Sequence, residues 1–157
     1  MAIKKIEAPS FITGEEVRKK YKKWLYSKAD SHYKRDSKIH NNKFSKSDYR
    51  IALHEAVKLS EGLDHYTGKK LDWHLIGSWD NKKAKEIQGY KRKFKNLPTL
   101  EHVYREDVSI TLEFVICGWA VNDAKNDLSF MKNDMLLFKH EKKTSLSTAF
   151  IDRKSTR

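Results

Sequence analysis

The chain contains a single cysteine, Cys117, and this feature restricts its possible folds more than any other. One thiol can form neither an internal disulfide nor a cysteine-based zinc cage, two devices on which small domains often depend. The 157 residues are enough for one ordinary domain, so the fold must be held together by a hydrophobic core. Aromatic residues make up 11% of the sequence, which supplies the bulky groups of such a core and argues against a disordered chain.

The chain carries a large excess of positive charge. Lys and Arg number 33 against 21 Asp and Glu, so the formal net charge is +12. This charge favours a polyanionic partner, although a merely solubilising surface would have the same composition. The longest apolar run, residues 114–121, is far shorter than the roughly 18–20 residues that span a bilayer. With no apolar signal segment after Met1, we expect a cytoplasmic protein that does not enter a membrane.

Residues 1–60 predict an N-terminal helical part. The pattern TGEE forms a capping box at Thr13 and opens a helix near residues 13–30, with an apolar stripe behind it. Residues 30–42 have little periodicity and are interpreted as a polar connection. The pattern SKSD is a second cap and opens a helix near residues 45–61.

Residues 61–141 predict an α+β region, because the period of the apolar residues changes after the second helix. Short strands are expected near residues 63–66, 71–76, 100–104 and 109–117. Helices are expected near residues 119–127 and 130–140, and residues 142–157 are interpreted as a basic, flexible tail.

The segment from residue 79 to residue 96 is strongly basic and contains interleaved aromatic residues. Such a segment is either a solvated face or a track for nucleic-acid phosphates, and the aromatic residues favour the track. Trp79, beside the cations, is either a core residue or a platform on which a base stacks. The candidate nucleic-acid-binding residues of this segment are Lys82, Lys83, Lys85, Lys91, Arg92, Lys93 and Lys95.

Polar residues occur where the last predicted strands and helix meet. Glu101 and His102 are adjacent on a strand, and Asn122 and Asn126 are one turn apart on the following helix. Carboxylate and amide oxygens suit Mg²⁺, and an imidazole can take a proton near neutral pH. Adjacent strand residues point to opposite faces, so Glu101 and His102 share a site only where the strand ends, twists or bulges. The alternatives are helix caps, solvated amides and a surface or core histidine.

Three stretches in order resemble the HNH endonucleases, which are ββα-metal nucleases. These are residues 65–71 (HYTGKKL), 97–103 (LPTLEHV) and 119–128 (WAVNDAKNDL). The resemblance covers about residues 60–140 and implies a hairpin-plus-helix core at residues 61–141. The two N-terminal helices and a C-terminal helix are expected to pack around this core.

The resemblance also implies the roles of the site residues. Glu101 stands where the family usually has an aspartate metal ligand, His102 matches the general base, and Asn122 matches the second metal ligand. Asn126 is a further candidate ligand, and Lys125 is expected to contact a phosphate. The cofactor implied is Mg²⁺ or Mn²⁺, and cleavage is expected to give a 5′-phosphate and a 3′-hydroxyl.

The chain departs from the family where many relatives bind zinc through paired Cys-x-x-Cys motifs. Asp64 and Gly118 stand near the expected positions, so no structural zinc is expected. Hydrophobic packing is expected to take the place of the zinc, and Glu113 stands at the position of the central asparagine. The packing is assigned to Phe114, Ile116 and Trp119.

The leading interpretation is a Mg²⁺-dependent HNH endonuclease that cleaves double-stranded DNA, with a restriction, homing or phage role. One active site cuts one strand, so a monomer is expected to nick and a double-strand break requires a homodimer or two events. The alternatives are a non-catalytic DNA-binding module that keeps the ββα scaffold, and an RNase.

Overall fold

The computed structural model describes residues 6–39, 42–103 and 112–127. In these residues two long helices come first, and a hairpin followed by a helix comes last. The elements are α1 (Glu15–Ile39), α2 (Lys46–Ser60), a 3-10 turn (Trp73–Leu75), α3 (Asn81–Glu86), a second 3-10 turn (Tyr90–Phe94), β1 (Pro98–His102), β2 (Phe114–Gly118) and α4 (Trp119–Asp127). The predicted α+β class is confirmed. The predicted helix at residues 130–140 and the tail at 142–157 lie outside the described residues.

Helix α1 is longer than the sequence predicted. It begins one residue after Gly14, whose carbonyl accepts the amide hydrogen of Arg18, and not directly after Thr13. It continues to Ile39, so the prediction of a polar connection at residues 30–42 was wrong. The apolar stripe fades there because α1 buries a polar side chain, Asp36, which is 3% exposed. The extension determines which side chains face the hairpin.

Helix α2 confirms the prediction for residues 45–61. The Ser45 hydroxyl accepts the amide hydrogen of Asp48, and the Asp48 carboxylate accepts that of Ser45, which completes a capping box. The helix ends at Ser60, and the residue that caps it, Glu61, adopts the left-handed conformation with φ 51°. Gly62 follows, also with a positive φ, and leads the chain out of the helix.

The segment between α2 and the hairpin is built of turns. The strands predicted at residues 63–66 and 71–76 were wrong: the segment contains an isolated bridge between Leu63 and Lys70 and then a 3-10 turn. The basic segment is broken into α3 and the second 3-10 turn by Gly89, whose φ is +79°. Residues 63–66 and 71–76 resemble strands because turn residues flank them, but among the described residues neither segment pairs in a sheet.

Strands β1 and β2 pair antiparallel and lead directly into α4. Pro98 is opposite Gly118, and His102 is opposite Phe114. Both strands fall within or beside the predicted ranges, although Tyr104 and residues 109–111 lie outside the described residues. The prediction of a helix over residues 119–127 is confirmed.

The core joins the N-terminal helices to the hairpin. Its most buried members include Tyr21 and Leu25 of α1, Tyr49 and Leu53 of α2, and Ile116 of β2, all at most 1% exposed. This core belongs to the unit Met1–Asn122, and a second unit begins at Asp123. None of the described helices combines the length and the apolar character that crossing a membrane requires.

Candidate functional site

The alternation of β1 sends Glu101 and His102 to opposite faces of the hairpin. Leu100 and His102 are buried toward the helices, whereas Thr99 and Glu101 are half-buried on the other face. The ladder does not break at this point, because the Val103 amide donates to the Glu113 carbonyl, one residue before β2. The two adjacent site residues therefore have separate surroundings, and the structure does not bring their side chains together.

His102 contacts a carboxylate of α1. Its Nε2 lies 2.8 Å from Oδ2 of Asp36, and both side chains are only 4% exposed. The ring also packs on Phe114, with 4.4 Å between ring centroids, and on His32, with 5.2 Å. The imidazole is thus held between an aromatic ring and a buried acid, which fixes its orientation.

The Asp36 carboxylate is held by a chain of hydrogen bonds from α2 and the segment before it. The Tyr49 hydroxyl donates to Oδ2 at 2.8 Å, and Nδ2 of Asn42 donates to the Tyr49 oxygen at 3.0 Å. Nε of Arg35 lies 3.6 Å from Oδ1. A buried carboxylate needs such partners, because an unpaired buried charge is strongly destabilising.

His32, Asp36 and His102 form a cluster that sequence analysis missed. One ligand atom from each lies within 4.8 Å of the other two. Burial, followed by Arg35, His102 and Lys28, lowers the pKa of His32 to about 3, against an opposing effect of Asp36. His32 is therefore neutral near pH 7. The signal in the sequence is the i, i+4 spacing of His32 and Asp36, which has meaning only once α1 is extended through them.

Glu101 receives a hydrogen bond from the other side of the hairpin. The Tyr66 hydroxyl donates to its Oε2. Burial, together with the nearby Cys117 and Asp64, raises the pKa of Tyr66, so the phenol stays protonated as a donor. Glu101 thus has a polar environment of its own, built by the loop after α2.

Asp64 joins this loop to the hairpin. Its carboxylate accepts amide hydrogens from Gly118 at 2.5 Å, Tyr66 at 2.8 Å and Thr67 at 2.9 Å, and Asp64 is 4% exposed. The positions expected to hold zinc-binding cysteines are therefore linked by hydrogen bonds. The expectation that hydrophobic packing alone replaces the zinc was incomplete, because a buried carboxylate can bridge several backbone amides.

The predicted residues of α4 are divided between the two units. Asn122 is half-buried and is the last residue of the first unit. Lys125 and Asn126 belong to the second, and the side chain of Asn126 lies outside the described residues. The metal-ligand roles of Asn122 and Asn126 and the phosphate contact of Lys125 remain predictions.

The seven cations of the basic segment are all exposed. Among the described residues none of them forms an ion pair, so their charge is not neutralised locally. Trp79, two residues before α3, packs on Phe94 at 5.0 Å and on Trp119 at 5.4 Å between ring centroids. Trp79 is half-buried, so packing accounts for it without a stacked base. The seven residues are Lys82, Lys83, Lys85, Lys91, Arg92, Lys93 and Lys95.

Comparisons of this chain with protein-family models, curated proteins and solved structures found no match, so function is inferred from the site itself.

Proposed function

We propose that this protein is a Mg²⁺-dependent endonuclease of the HNH type that hydrolyses phosphodiester bonds in double-stranded DNA. The observation that supports this most directly is the contact between His102 of β1 and Asp36 of α1. The hairpin that carries His102 leads directly into α4. An imidazole oriented by a buried carboxylate is the arrangement of a general base in many hydrolases.

In this proposal His102 takes the proton of the attacking water. Asp36 keeps the ring in place and stabilises the imidazolium that forms. The side chain of His102 is 4% exposed, so the proposal requires that a water molecule reaches the ring. A pH profile of the cleavage rate that follows a single basic group would support this step.

Glu101 and Asn122 provide the oxygen donors that fit Mg²⁺. When bound, the ion would stabilise charge on the phosphoryl group and the leaving oxygen. In an in-line displacement the attacking water and the leaving oxygen lie on opposite sides of the phosphorus. The base and the metal ligand must both reach that phosphate, and because Glu101 and His102 leave β1 on opposite faces, the proposal requires β1 to twist or bulge at its end when the substrate binds.

The basic segment supports nucleic acid as the substrate. Seven exposed cations, none of which forms an ion pair within the described residues, attract a phosphate backbone regardless of its sequence. The low exposure of His102 favours a second candidate, a DNA-binding module without catalysis. That module would use the same cations and leave the hairpin as scaffold.

The test is cleavage of supercoiled plasmid with Mg²⁺ or Mn²⁺. We expect nicking by the wild-type chain and by His74→Ala, which removes an exposed histidine, and none by His102→Ala. Glu101→Gln, a half-buried change of similar shape, should also abolish nicking if His102→Ala fails to fold. Binding without cleavage under either ion would establish the module instead, and cleavage restricted to single-stranded RNA would establish an RNase.

A further inference from the structure

The cluster of His32, Asp36 and His102 connects helix α1 to the end of strand β1. His32 and Asp36 are one helical turn apart, so their side chains leave the same face of α1. His102 approaches that face from β1, and the three ligand atoms lie within 4.8 Å of one another. Two distant parts of the chain thus supply one donor set.

The donor set is that of a transition metal. Two imidazole nitrogens and one carboxylate oxygen are typical ligands of Zn²⁺, whereas Mg²⁺ prefers oxygen donors throughout. Three protein ligands leave a fourth tetrahedral position for water. This distinguishes the cluster from the oxygen donors Glu101 and Asn122.

The surroundings of Asp36 have the form of an outer ligand shell. The Tyr49 hydroxyl donates to Oδ2, and Asn42 donates to the Tyr49 oxygen, so the carboxylate is oriented from α2. Such outer partners fix the direction of a ligand and are worth about 10–100-fold in metal affinity.

A cation already lies against the cluster. Arg35 places Nη2 2.6 Å from Nδ1 of His32 and Nε 3.6 Å from Oδ1 of Asp36. Its side chain is 44% exposed, so it can turn into solvent when a metal ion supplies the positive charge instead. Binding of a metal ion therefore requires that Arg35 leaves the cluster, because its positive charge opposes a second cation there.

We propose that His32, Asp36 and His102 bind one Zn²⁺ ion, which cross-links α1 to β1. The expectation of no structural zinc was based on the missing cysteine pairs, and this site uses no cysteine. The proposal does not depend on nuclease activity. Where both hold, Zn²⁺ on His102 competes with its function as a base.

The experiment is a titration of the untagged full chain, freed of metal by a chelator, with Zn²⁺ by calorimetry and with Co²⁺ by visible absorption. We expect one ion per chain and the d–d bands of tetrahedral Co²⁺. His32→Ala should weaken Zn²⁺ binding by more than the roughly 100-fold of an outer-shell change, and Tyr49→Phe by about 10-fold.

The matched control is His74→Ala, because His74 is an exposed histidine outside the cluster. It should bind Zn²⁺ as the wild type does. His32→Gln, with circular dichroism to verify the helix content, repeats the test with less disturbance of α1. Equal Zn²⁺ affinity in the His32 variants and the control, or no binding by the wild type, would overturn the site. Neither result by itself overturns the proposed Mg²⁺-dependent cleavage, which the plasmid assay tests separately.

Discussion

Asp64 is the residue on which the connection between the loop and the hairpin depends. Its carboxylate accepts three backbone hydrogen bonds, of which the one from Gly118 is buried and those from Tyr66 and Thr67 are partly buried, so its loss leaves the buried Gly118 amide without this acceptor. We expect Asp64→Ala to lower the free energy of unfolding by about 2–4 kcal/mol, measured by urea denaturation.

The control for Asp64 is Asp72→Ala. The Asp72 carboxylate accepts one amide hydrogen, from His74, at an exposed cap. Its loss should cost about 0.5–1 kcal/mol. Equal losses in the two variants would show that burial of the Asp64 network adds nothing to the stability of the fold.

His32 makes the stability depend on pH. Its pKa falls from 6.5 to about 3 in the folded state, with burial as the first cause. Between these two pH values the unfolded chain is protonated at His32, whereas the folded chain is not. The contribution of His32 to the free energy of unfolding is therefore fully present above pH 6.5. It declines as the pH falls toward 3, with a slope of up to about 1.4 kcal/mol per pH unit.

This dependence is measured as the difference between the wild type and His32→Gln in urea denaturation across that range. The difference should shrink in favour of the variant as the pH falls, because glutamine does not titrate. A constant difference would mean that the imidazole is not held neutral in the folded protein.

At the scale of single residues, the shared site of Glu101 and His102 required β1 to end, twist or bulge between them, and the structure instead keeps the regular alternation that sends them to opposite faces. What the sequence could not supply is their partners. Asp36 lies 66 positions before His102, in a stretch without apolar periodicity. Tyr66 approaches Glu101 through a turn that was predicted as a strand.

At the scale of elements, the strongest local signals were reliable. The capping box of α2 and the hairpin-to-α4 order were predicted, because caps and β-branched runs act within a few residues. The extension of α1 was missed because its last turns are stabilised by tertiary contacts such as Tyr49 with Asp36. Helices that gain their stability from packing do not need a continuous apolar stripe.

The junction of β2 with α4 requires glycine at 118. A Cβ there would lie 2.8 Å from the Lys95 carbonyl oxygen and 3.3 Å from Oδ2 of Asp64. We expect Gly118→Ala to destabilise the fold by about 1–3 kcal/mol. Because the added methyl also crowds Asp64, its cost should fall when Asp64→Ala is already present, as a double-mutant cycle measures.

The control cycle pairs Gly118→Ala with Asp72→Ala, whose carboxylate caps a different turn. The losses in the free energy of unfolding caused by these two changes should add. Additivity in both cycles would mean that Gly118 and Asp64 do not act together at the junction.

At the scale of the whole molecule, the net charge of +12 predicts a polyanionic partner, and in the part of the chain that the structure describes none of the seven cations of the basic segment forms an ion pair. If these cations contact phosphates, each contact releases counter-ions, and the logarithm of the DNA affinity falls with the logarithm of the salt concentration with a slope of about −0.9 per contact. Replacing Lys91, Arg92 and Lys93 by alanine should reduce the magnitude of this slope by about 2–3 in fluorescence-anisotropy titrations.

The matched variant replaces three exposed lysines of α1, Lys20, Lys22 and Lys23, by alanine and removes the same charge. A general attraction by the net charge would be weakened equally by both triple changes, whereas a phosphate track in the basic segment would lose part of its salt dependence only in the first. Equal slopes in the two variants would therefore assign DNA binding to the overall field of the molecule and leave the basic segment as a solvated face.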